Sequence, residues 1–77
     1  MSIHVKLFGS LANIVGKSDI DIKGINDTDS LKQKMLNDFP NLKDQQFVIA
    51  ISKQIAQGNK MLKSGDVVAL LPPFAGG

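Results

Sequence analysis

Residues 18–40 read SDIDIKGINDTDSLKQKMLNDFP, and the period of their apolar residues changes partway along. Ile20 and Ile22 alternate with Asp19, Asp21 and Lys23, the two-residue repeat of a strand with one wet face. Gly24 closes that strand, and Asn26, Asp27 and Thr28 are turn and helix-capping types. From there Leu31, Met35 and Phe39 recur every four residues with Leu36 beside them. That spacing is one face of a helix, predicted over about 28–38 and ended by Pro40. A strand passing through a cap into a single long helix is the core of an α+β domain.

The flanks extend this pattern. Upstream, Ile3, Val5 and Leu7 alternate with Ser2, His4 and Lys6, which predicts a first strand pairing with 18–24 as a hairpin. Phe8 shares the parity of His4 and Lys6 and should point away from the core. Ser10 is a candidate N-cap for a short helix over 11–15, and Gly16 a candidate C-cap. Downstream, FVIAI at 47–51 and VVALL at 67–71 are continuous apolar runs, the expectation for strands buried on both faces. A turn at Ser52 and Lys53 leads to a short strand at 54–56, and Ser64, Gly65 and Asp66 form another turn. The prediction is one domain over 1–71 with a mixed four- to five-stranded sheet, one main helix, a short extra helix and a tail over 72–77. One helix covers only one face of such a sheet. Phe8, Ile55, Leu71 and Phe74 then form an uncovered apolar set, which marks a partner surface.

Composition excludes several chemistries. The chain has 77 residues, no cysteine and a single histidine, His4. Disulfides, thiolate zinc sites and cysteine nucleophiles are ruled out, and no metal site is expected. His4 lies on an outward strand position as a surface residue. The pairs Asp19/Asp21 and Asp27/Asp29 lack the glycine and distal glutamate of a calcium loop. All nine cations are lysine, dispersed along the chain, and there is no Trp, Tyr or Arg, so no nucleic-acid partner is expected. No apolar run approaches the ~20 residues that span a bilayer. No membrane partner is expected, and the expected location is the cytoplasm.

With catalytic side chains nearly absent, the tail becomes the chemical element. Pro72 and Pro73 cannot sit in a central ladder, and their fixed φ makes a short stiff stalk. Gly76 and Gly77 add no bulk, so such an end threads a narrow channel and leaves its last carbonyl open to attack. The carboxylate of Gly77 is the candidate reacting group. It becomes an electrophile once an activating enzyme converts it to an acyl-adenylate, and a sulfur donor that displaces AMP leaves a thiocarboxylate.

The segments VKLFGSLANIVG (5–16), INDTDSLKQKMLNDFP (25–40), FVIAISKQIA (47–56) and MLKSGDVVALLPPFAGG (61–77) together resemble the small subunits of molybdopterin synthase. These are sulfur carriers of the β-grasp, ubiquitin-like fold. The ending PPFAGG is the most specific piece: thiamine-pathway sulfur carriers share the fold and the Gly-Gly but usually lack the Pro-Pro. The resemblance implies that an ATP-dependent activating enzyme adenylates Gly77 and a sulfurtransferase system makes the thiocarboxylate. The tail then enters the large synthase subunit within a heterotetramer and donates sulfur to a cyclic pyranopterin monophosphate, forming the dithiolene of molybdopterin. The chain is then not catalytic alone and holds no stable cofactor. Phe8, Ile55, Leu71, Pro72, Pro73, Phe74, Ala75 and Gly76 are the implied partner-binding residues. Departures from the family pattern are Ala12 and Asn13 in the short helix and Ser52 after the third strand, which is often Asn. The alternatives are another sulfur carrier, as in thiamine synthesis, or a ubiquitin-like modifier conjugated through Gly77.

Overall fold

Ser2–Leu7 (β1) and Asp19–Lys23 (β2) form the expected hairpin, antiparallel with Val5 opposite Ile20 and Ile3 opposite Ile22. This is seen in a computed structural model of the chain, which describes residues 2–73. Between them lies the short helix Ser10–Val15 (α1), which ends on Gly16 at φ 86°. Its N-cap is Gly9 and not Ser10; Ser10 is the first helical residue and no side chain caps the helix.

The main helix is Thr28–Asp38 (α2). Asp27 caps it, its carboxylate accepting from the Ser30 amide at 3.1 Å. Thr28, Leu31 and Met35 face inward and are buried. Pro40 ends α2 but also opens a 3-10 helix over Pro40–Asp44. Proline suits that first position because it has no amide to leave unpaired. The 3-10 turn carries Leu42 fully into the core.

The remaining strands are Val48–Ile51 (β3), Gln54–Ile55 (β4) and Val67–Leu71 (β5). The five strands run in the order β2-β1-β5-β3-β4. β1 and β5 pair in parallel, and the other three pairings are antiparallel. Ile3, Val5, Leu7, Ile22, Val68 and Leu70 on one sheet face pack with Leu11, Leu31, Met35, Leu42 and Leu62 in one core. Each such side chain contributes about 1.5–3 kcal/mol on burial.

The two continuous apolar runs are not buried on both faces. In β5 only Val68 and Leu70 are buried, on the helix-covered face, and in β3 the one buried residue, the small Ala50, lies on the opposite face beside Ala69. Among the described residues, helices cover one face of the sheet and the other is left open. Among the described residues no helix is long and apolar enough to cross a membrane.

Candidate functional site

Strand register sorts the open face into two halves. Lys6 lies beside Ala69, Ala69 beside Ala50 and Ala50 beside Ile55, one row crossing four strands, with Asp19 at its far end opposite Lys6. The next row holds Asp21, His4 and Val67. Leu71 sits opposite Val48. The face is therefore charged over β2 and β1 and apolar over β5, β3 and β4.

The apolar half has a shape set by residue size. Ala50 and Ala69 project little from the sheet, while Phe8 and Val67 stand higher and are 45% and 46% exposed. A depression of about 320 Å³ results, lined by Lys6, Phe8, Ala50, Ser52, Lys53, Val67 and Ala69. Phe8 reaches it because its amide donates to the Leu70 carbonyl at 3.1 Å, continuing the β1–β5 ladder by one residue. Ile55 extends the apolar surface at the β4 edge, 60% exposed.

In the charged half, His4 stands between two carboxylates. Its Nδ1 is 2.8 Å from Asp21 Oδ1 and its Nε2 is 2.8 Å from Asp19 Oδ1. A neutral imidazole has one N–H, so both contacts are favourable together only for the imidazolium. The hydrogen bonds to Asp21 and Asp19 raise the His4 pKa above its usual 6.5. The bond from His4, aided by one from Ser18, lowers that of Asp19. No group of three or more His, Asp or Glu side chains among the described residues is arranged to hold a metal ion.

The root of the tail sits on Gly9. Pro72 is buried and Pro73 exposed. A Cβ placed on Gly9, whose φ is 57°, would be 3.2 Å from Cγ of Pro72. Glycine thus lets the first tail residue lie against the loop that follows Phe8. Phe74, Ala75, Gly76 and Gly77 lie outside the described residues.

Of the residues singled out from sequence, the fold brings Phe8, Ile55 and Leu71 to one face and seats Pro72 beside Gly9 next to it. The sequence reading missed Ala50, Val67 and Ala69 as the floor and wall of the depression. Pairing register with β1 puts them on the side of Lys6, and a continuous apolar run does not reveal that register. Ser52, Lys6 and Lys53 are the polar side chains that line the depression, with no histidine or carboxylate among the described residues there. It is built to bind.

The profile of the ThiS family matches residues 5–77. One chain of the Helicobacter pylori complex of subunits 1 and 2 of molybdopterin-converting factor is 32% identical, each chain covered over 100% of its length, with a TM-score of 0.74. A Pyrococcus furiosus protein assigned as molybdopterin converting factor subunit 1 superposes with a TM-score of 0.84 at 21% identity, covering 95% of this chain and 98% of that one. SAMP1 of Haloferax volcanii gives 0.80 at 23% identity, with both chains covered over 100%. The last two likenesses establish a shared β-grasp fold.

Proposed function

Because this chain belongs to the ThiS family, we propose that it is a sulfur carrier that works as the small, sulfur-donating subunit of a molybdopterin synthase. The observation that carries this reading is the apolar half-face of Phe8, Val67, Leu71 and Ile55 beside the root of the Pro72–Pro73 tail. A partner seated on that face receives the tail in the same encounter. The Helicobacter pylori likeness, a chain from a complex of two subunits, supports a large-subunit partner.

In this cycle an activating enzyme uses ATP to adenylate the Gly77 carboxylate, pyrophosphate leaves, and a sulfur donor displaces AMP to give the thiocarboxylate. Gly76 and Gly77 leave the reacting carbonyl unobstructed. The thiocarboxylate then transfers its sulfur to the pyranopterin in the large subunit, which supplies the catalytic side chains. Phe8, Ile55 and Leu71 hold the carrier in place. Pro72 and Pro73 limit the conformations the tail gives up on insertion.

A second reading, a protein modifier joined through Gly77 to lysines, has the fold shared with SAMP1 in its favour. Intact mass of the chain isolated from cells separates the two. Exchange of one oxygen for sulfur at the terminus is expected. Isopeptide adducts without that exchange favour the modifier, and neither form overturns both.

A further inference from the structure

The turn between β3 and β4 has a backbone that its residues resist. Ser52 and Lys53 both have positive φ, 51° and 69°, between the paired residues Ile51 and Gln54. Two consecutive left-handed residues in a two-residue hairpin loop favour Asn-Gly. Ser and Lys each bring a Cβ into that strained region, and Lys has no short polar group to compensate. Strain of this kind persists where something else holds it in place. Packing does not: both residues are exposed, and β4 is a two-residue edge strand.

The depression supplies a reason. Lys53 reaches it from the β3–β4 turn and Lys6 from β1, on opposite sides of the Ala50 and Ala69 floor. Its lining carries two ammonium groups and no carboxylate. Asp19, across the β1–β2 pair from Lys6, and Asp21 both hydrogen-bond His4 in the other half, and neither lines the depression. The docking half is thus cationic at its rim and apolar at its floor.

We propose that Lys6 and Lys53 make this depression a receptor for an acidic-apolar segment of the large-subunit partner. An apolar side chain seats over Ala50 and Ala69 between Phe8 and Val67, and flanking carboxylates pair with the two ammonium groups. Lys53 is a specificity residue, and the turn keeps its strain in order to present it. This rests on the sulfur-carrier reading and names the chemistry of its partner.

The test is calorimetric binding to the large subunit of the source organism's molybdopterin synthase at low and high salt, with thermal melts in parallel. Lys6→Glu with Lys53→Glu should weaken binding by about tenfold or more and abolish its weakening by salt, as reversed interface charges do. Ser52→Asn with Lys53→Gly relaxes the turn, so it should melt higher than wild type while binding several-fold weaker. Loss of binding in Phe8→Ala, with both lysine variants unchanged in affinity and salt response, overturns the proposal and leaves the docking reading standing. Failure of the wild-type chain to bind the subunit overturns both.

Discussion

At Gly9 the chain has φ 57° and ψ −135°, and a Cβ there would press on Pro72 Cγ at 3.2 Å. Gly9→Ala should therefore lose about 1–3 kcal/mol of stability, the usual range for a side chain held in such a region, read by urea unfolding. Its tail root should also shift, visible as changed amide resonances near Pro72. His4 carries a second prediction. Its folded pKa is raised, so its contribution is full below 6.5 and is lost as pH rises through the folded value. Asp19 is lowered, so its contribution is present above 3.8 and is lost as pH falls through the folded value. The clamp between β1 and β2 is therefore strongest between pH 3.8 and 6.5. Lys6 and Lys23 on the same face, and apolar Val67 beside His4 on β5, provide no competing anion. Melting temperature should fall as pH rises above this window in wild type and be flatter in His4→Gln. Equal slopes in the two proteins would rule the clamp out.

The start of α2 is fastened by a loop distant in sequence. Asn59 Oδ1 accepts from the Asp29 amide at 2.8 Å, and Asn59 Nδ2 donates to Asp27 Oδ2 at 2.9 Å. Thr28, a residue 2% exposed, accepts through its hydroxyl from the Lys60 amide at 2.9 Å. Thr28→Val keeps the volume but leaves the Lys60 amide without its partner, and should cost about 1–3 kcal/mol, measured by chemical denaturation. No change would mean that water replaces the hydroxyl. This clamp also separates what was legible in the sequence from what was not. Asp27, Leu31 and Met35 announce α2 because a cap and a four-residue stripe are local signals. Asn59 gave only a loop, since its partners lie some thirty residues away. The β5 run was legible as a strand but not as one-sided. An outward apolar residue looks the same whether a helix or another protein covers it. The 3-10 turn after Pro40 was hidden by the proline that ends α2. Phe8, by contrast, followed from parity alone, because an aromatic ring in step with His4 and Lys6 has to emerge on their side of the sheet.

Across the whole molecule, docking and chemistry are separated by the length of the tail. In the proposed cycle the partner docks on the β5–β3–β4 face while the reacting carbonyl belongs to Gly77, so their spacing is fixed by residue count. Deleting Gly77 retracts that carbonyl by up to ~3.6 Å, and a displacement of ~1 Å can already cost a hundredfold in rate. The deletion should melt and dock like wild type but fail to form molybdopterin in a reconstituted synthase; normal turnover would refute the tail chemistry. The position of β5 matters for a different reason. It slots between β1 and β3, joining Val5 to Val68 across nearly the whole chain. Closing a loop of roughly 60 residues is entropically slow, and pairings so distant in sequence form late. Phe8, Ala50 and Ala69 share a surface only after that closure. A chain stalled before β5 inserts therefore lacks the face on which the proposed partner docks. On the proposed reading, docking then doubles as an inspection of maturity, because a molecule that has not inserted β5 offers the large subunit no surface to seat on.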